Sequence, residues 1–403
     1  MKSIRDVYKI GRGPSSSHTM GPDKAARMFR AKNPNADTFR VILYGSLAET
    51  GRGHGTDVAI KEAFSPIPTE IVFNTEASEL PHPNTMDFTA WREGKKLSDI
   101  RVMSIGGGDI AILGRTSAAE PDIYPHNSFA EISEYCKHDN LRLWQYAARF
   151  ETADFFDYLA LIWETMKRAI SDGLSMTGTL PGGLGVERKA QYLYNQRHID
   201  ESKATRENRI VCAYAFAVSE QNADYATIVT APTCGSCGVL PAVLKYMQDT
   251  RGFPDDEVYH ALAAGGIIGN LVKTNATVSG AEAGCQAEIG TACAMAAAAL
   301  GELFEMGIDQ IEYAAEVALE HYLGLTCDPI GGLVQIPCIE RNAVSAMRAI
   351  NALSLANFLT NTRKISFDMV VETMYETGRD MSFRYRETSR GGLAKLYSRY
   401  PKK

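Results

Sequence analysis

The sequence predicts an α+β domain over residues 1–140 followed by an all-helical domain over residues 141–403. Three observations carry that expectation. A chain of 403 residues has room for about two or three folded units, each with its own core. Its first third mixes β-rich runs at residues 39–47, 70–74 and 99–105 with helical spacing at residues 22–30 and 57–64, joined by glycine-rich turns. Near residue 140 the pattern changes, and strong helix formers with apolar residues at helical spacing take over.

Residues 141–174 read as one long helical stretch, with Leu143, Trp144, Phe150, Phe155, Leu159, Trp163 and Met166 on its apolar stripe. Further helices are predicted over residues 206–220, 255–272, 285–304, 309–323, 343–359 and 367–377. Alanine and glycine crowd residues 261–300, where small side chains let helix backbones approach closely. Asn270, Lys273, Glu282 and Glu288 argue against burying that stretch in lipid.

An apolar fraction of 45% and a charged fraction of 22% are those of an ordinary globular protein. The net charge of -6 has no strong local bias beyond a basic tail over residues 379–403. Neither nucleic acid nor an anionic membrane is therefore an expected partner, and a small molecule is. The first twelve residues lack the apolar stretch of a signal peptide, and no apolar run is long enough to span a bilayer, so a cytoplasmic protein is expected. Eight cysteines without a disulfide-like framework suit thiols or metal ligands in a reducing compartment.

Three of those cysteines lie in unusual surroundings: Cys285 after Gly284, Cys327 before Asp328-Pro329, and Cys338 after Pro337. Each looks like a metal ligand, and Cys285 and Cys338 open helical runs, where the dipole and free amides favour a thiolate. Three thiolates without a matching fourth suit an iron-sulfur cluster with one iron open to a substrate oxygen, hence Lewis-acid chemistry. Cys293 and Cys212 read as core, and Cys136 has no assigned role. Cys234 and Cys237 form a lone CxxC, read as a close-packed turn, a lining of the cluster pocket or a redox pair.

In the first domain GPSSSHTMGP (residues 13–22) is a hydroxyl-rich loop running into a helix, suited to a carboxylate or phosphate. His54 stands between Gly53 and Gly55, where an accessible imidazole can serve as general base or be a loop residue without a role. His82 in HPNTM and the glycines of SIGGGDI are weaker signals, each more often a turn.

Together GPSSSHTMGP, LYGSLAETGRGHGTD, HPNTM, SIGGGDI, LPGGLGVERKA, APTCGSCGVLPAVL, SGAEAGCQAEIGTACAMAAA, LGLTCDPIGGLVQIPCIERNA and YRETSRGGLA resemble, in order, the blocks of the iron-sulfur-dependent L-serine dehydratases. The resemblance covers nearly the whole chain. It implies an N-terminal domain similar to an allosteric substrate-binding domain, an all-helical catalytic domain and a homodimer. It also implies a [4Fe-4S] cluster on Cys285, Cys327 and Cys338, and elimination of water from L-serine to give pyruvate and ammonia. His54 is implied as the base. His18, with Ser15, Ser16, Ser17 and Thr19, is implied to position the substrate's carboxylate or ammonium.

Some positions depart from the family pattern. Many members carry Asn-Gly-Ala-Ala where this chain has Cys234-Gly235-Ser236-Cys237, and a lysine where Gly185 stands. Some relatives end in an iron-ligating cysteine; this chain ends in Pro401-Lys402-Lys403, so self-inhibition by a tail is not expected, nor is an ACT-like domain. No Schiff-base lysine with a phosphate loop is evident, which argues against pyridoxal phosphate. Rival readings are a lyase of the same architecture for L-cysteine or L-threonine, an iron-sulfur sensor, and a structural zinc protein.

Overall fold

A computed structural model describes residues 1–77, 79–114, 121–359 and 363–399; the terminal residues 400–403, on which the tail expectation falls, lie outside them. A five-stranded mixed sheet has the order β3-β2-β4-β5-β6, built from β2 (Thr38–Tyr44), β3 (Thr69–Asn74), β4 (Thr85–Arg92), β5 (Lys95–Ser104) and β6 (Ile110–Ile112). Only the β2–β3 pair is parallel; Val41 faces Phe88 across β2–β4 and Phe88 faces Ile100 across β4–β5. Phe39, Val41 and Leu43 alternate inward along β2. They meet Ala26, Phe29, Ile60 and Phe64 of helices Gly21–Lys32 and Thr56–Phe64. Phe39 stacks on Phe64 with ring centroids 4.0 Å apart, each buried ring stabilising the layer by roughly 2 kcal/mol.

The predicted run to residue 47 stops short at Tyr44, because Gly45 turns the chain with φ 53° and lies so close to Pro83 that a Cβ would sit 2.3 Å from its carbonyl oxygen. Helix Gly45–Thr50 starts there and carries Ser46 and Thr50 toward the site.

The second core is a bundle around helix Thr291–Leu303, all of whose residues are buried. Helices Asp255–Asn275, Ile308–Glu320, Cys338–Leu359 and Val239–Arg251 pack around it. The alanine-glycine stretch allows that closeness: a Cβ on Gly265 would lie 2.9 Å from the Met295 carbonyl oxygen. The single helix expected over residues 141–174 is two, Leu143–Phe150 and Phe155–Ser175. Glu151 lies at the break and accepts bonds from the Ser3 hydroxyl, the Ile4 amide and the Tyr124 hydroxyl.

The two cores are tied together by the start of the chain. Met1, Ile4, Val7 and Tyr8 are buried in the helical core, and the Tyr8 hydroxyl donates to the Leu262 carbonyl at 2.8 Å. Strand β1 (Ile10–Arg12) then pairs antiparallel with β7 (Thr227–Val229), a short strand among the helices, with Ile10 opposite Val229. Among the described residues no helix is long and apolar enough to cross a membrane.

Candidate active site

Just after β1 the chain enters a π-helical turn, Ser16–Met20, continuous with helix Gly21–Lys32. Its close approach to helix Lys203–Ala223 is fixed by Asn222, whose amide donates to the Pro14 carbonyl at 2.9 Å. A second π-helical turn, Gln286–Gly290, follows Cys285. Such turns are rare and concentrate at functional sites. The hydroxyls of the first turn are largely committed to holding it. Ser15 Oγ accepts the His18 amide at 3.0 Å, and Thr19 Oγ1 donates to the His54 carbonyl at 2.8 Å. Ser15 also lines the cavity described below, whereas Thr19 faces a separate, larger one. Ser16 is buried in the turn.

His18 and His54 are fully buried, with ring centroids 4.5 Å apart. Their hydrogen bonds fix their tautomers. His54 Nδ1 lies 3.0 Å from the Thr50 carbonyl, which can only accept, so Nδ1 carries the proton and Nε2 keeps its lone pair. That Nε2 is buried without a hydrogen-bond partner. Ser46 gives its one hydroxyl proton to the Glu387 carbonyl at 2.7 Å and therefore accepts from His18 Nε2 at 3.0 Å. His18 Nδ1 is then an acceptor, and Ser17 Oγ donates to it at 2.9 Å. Burial holds His54 neutral, down to about 4. Burial, with His54 close by, pushes His18 well below its ordinary value.

Glu387 belongs to a strap that crosses the site near the end of the described chain. Its backbone is left-handed, φ 57°, and its amide donates to the Cys327 carbonyl at 2.8 Å. Its Oε1 stands 3.5 Å from His18 Nδ1 and 3.7 Å from His54 Nε2, and its Oε2 is buried without a partner. Burial, with the Cys285 thiol nearby, pushes this carboxyl above the usual range.

The three thiols arrive from separate loops and line one cavity with His54, Glu288 and Glu387. Cys285 follows Gly284 (φ 74°) and begins the second π-helical turn; the Cys327 amide donates to the Tyr385 carbonyl at 2.7 Å; Cys338 is the first residue of its helix. A ligand atom from each of Cys285, Cys327 and Glu288 falls within 4.8 Å of the others. A hydrogen bond from Cys327 and the charge of Arg341 draw the Cys285 thiol down, while burial raises Cys338. Arg341 is held by a bond to the Thr326 carbonyl at 2.7 Å. Asn342 bonds the Gly235 carbonyl at 2.8 Å, joining the Cys338 helix to the CxxC turn. Cys234 and Cys237 are buried there, and Gly235 reaches the cavity. Cys293 and Cys136 are buried and Cys212 half-buried.

The chain matches the family described as serine dehydratase beta chain over residues 3–65 and that described as serine dehydratase alpha chain over residues 82–394. It is 40% identical to L-serine dehydratase 2 of Escherichia coli, over 98% of each chain. It is 39% identical to L-serine dehydratase of Haemophilus influenzae, over 98% of this chain and 99% of that one. L-serine dehydratase of Streptomyces coelicolor is 38% identical, over 97% and 98%. The chain belongs to the serine dehydratase family. As a serine dehydratase family member it brings both matched regions into one polypeptide, and both supply walls of the same cavity: His54 and Ser15 from the first, the thiols and Glu387 from the second.

Sequence reasoning missed Glu387, Glu288, Arg341 and Ser46. Arg341 and Ser46 lie inside the motifs that carried the resemblance, three residues after Cys338 and eight before His54, and Glu387 lies within YRETSRGGLA.

Proposed function

We propose that this chain is an L-serine ammonia-lyase, releasing pyruvate and ammonia, and that Cys285, Cys327 and Cys338 hold a [4Fe-4S] cluster. The observation that carries the reading is the meeting of three thiols with the unprotonated, partnerless Nε2 of His54 in one buried cavity. The donor set fits the cluster: three thiols on one cavity, of which Cys285 is drawn toward thiolate by a hydrogen bond from Cys327 and the charge of Arg341, with a carboxylate rather than a fourth cysteine beside them. When bound, the cluster would supply Lewis acidity that makes the β-hydroxyl a better leaving group.

The remaining work falls to the chain's own residues. His54 Nε2 takes the α-proton; its tautomer is set in advance by Thr50, and burial keeps it neutral before substrate arrives. His18 and the Ser15–Thr19 hydroxyls hold the wall against which the substrate's polar groups lie. Loss of the α-proton and the β-hydroxide yields aminoacrylate, which tautomerises and is hydrolysed to pyruvate and ammonia. The three relatives described above are each named an L-serine dehydratase, which supports serine and lends nothing to the cysteine, threonine, sensor or zinc readings.

The reading includes a homodimer, a cytoplasmic location in keeping with eight free cysteines, and a division into units 1–140 and 141–403. The first of those units is taken to be similar to an allosteric substrate-binding domain. Anaerobic reconstitution followed by a pyruvate assay on L-serine, with L-threonine and L-cysteine as comparators, tests the reading. A brown protein that loses colour and serine turnover together in air supports it. A colourless protein, or a brown one inactive on L-serine, overturns it.

A further inference from the structure

A buried carboxyl and a buried imidazole nitrogen face one another, each short of a donor. His54 Nε2 keeps a lone pair without a partner and Glu387 Oε1 lies 3.7 Å from it, whereas His18 Nδ1, 3.5 Å from the same oxygen, already accepts from Ser17. A buried carboxyl in such a place is stabilised in its ionised form when a cation with several N–H groups enters. Among the described residues, no lysine or arginine lies within ion-pair distance of Glu387. Its Oε2 also has no hydrogen-bond partner. A protonated primary amine fits: it brings one positive charge and three donors.

We propose that Glu387 is the residue that binds the α-ammonium of the substrate, and so selects amino acids over hydroxy or simple carboxylic acids. An ammonium donating to Glu387 places its neighbouring α-carbon beside His54 Nε2, which stands 3.7 Å from the same carboxylate oxygen. Binding and proton abstraction are thereby set by one side chain. Glu288, the other carboxylate of the cavity, is already used: it accepts from Thr233 Oγ1 at 2.9 Å and lies between Cys285 and Cys327. The strap fixes Glu387 from both sides, through its amide on Cys327 and its carbonyl on Ser46.

This inference rests on the serine reading, and its test separates the two. The holoenzyme is titrated with L-alanine, which keeps the ammonium but has no leaving group, and with propionate, which lacks the ammonium. Wild type is expected to prefer L-alanine by about tenfold or more. In Glu387→Gln the preference falls to near one while propionate binds as before; in Glu387→Asp part of it returns. Cluster absorption confirms that the variants are folded and loaded. An unchanged preference in Glu387→Gln overturns the proposal, and so does its collapse in Glu288→Gln alone. A stoichiometric metal other than iron, bound by wild type and lost in Glu387→Gln, also overturns it. If wild type releases no pyruvate from L-serine yet shows the Glu387-dependent preference, the ammonium site stands and the serine reading falls.

Discussion

The histidine side of the cavity and the thiol side are built on different principles. On the histidine side every orientation is set by the polypeptide: Thr50 fixes one ring, Ser46 and Ser17 the other, and Ser46 also ties the strap that brings Glu387. On the thiol side the loops are clamped by backbone bonds, such as Cys327 to Tyr385 and Gln286 to Leu325, but the sulfurs meet chiefly one another and Arg341. The first side is organised before anything binds. On the proposed reading the second is completed by the cluster it holds, the usual relation between thiolate loops and their metal.

The comparison is broken most sharply at Cys327. Cys327→Ser is expected to lose both iron and serine turnover, the latter by roughly a thousandfold or more, as for removal of one essential member of a catalytic unit; iron per chain and pyruvate release are the readouts. His54→Ala should keep its iron and lose about 10²- to 10⁴-fold in kcat, the share of a general base. Iron lost in both variants would erase the distinction between the two sides.

A third experiment sharpens it through pH. His54 is held down from 6.5 to about 4 in the fold. As pH falls through that window the unfolded chain takes a proton that the folded chain refuses, so stability drops, by up to about 3 kcal/mol for this group. Chemical denaturation at several pH values should show a shallower acid loss in His54→Gln than in wild type, with iron content matched. The smallest effect is expected from Ser46→Ala. Losing the hydroxyl between His18 and the Glu387 carbonyl should cost about 1 to 2 kcal/mol of stability and about tenfold in kcat, with iron unchanged.

What the sequence reveals follows the same division between local and distant causes. Helices Asp255–Asn275 and Phe367–Asp380 lie close to their predicted ranges because their periodicity is local. Strand β4 was missed although Met86, Phe88 and Ala90 alternate inward, since Asp87 and the small Ala90 weaken its signature. The break at Glu151 and the pairing of β1 with β7 depend on contacts far apart in the chain and leave no local mark. In the site, cysteines and histidines among glycines and prolines stand out because they are rare. Glu387 is one of 48 acidic residues; although it lies within YRETSRGGLA, its place in the site comes from burial and a left-handed backbone, which the strap imposes.

The buried start of the chain has a consequence for synthesis. Ile4, Val7 and Tyr8 are synthesised more than two hundred residues before Thr230, which donates to the Val7 carbonyl, and Leu262, which accepts from the Tyr8 hydroxyl. Until then those side chains have nowhere to pack, and the loop that closes over them is long. The helical core is thus expected to close late around this segment, leaving an interval in which its apolar side chains are open to chaperones or to aggregation.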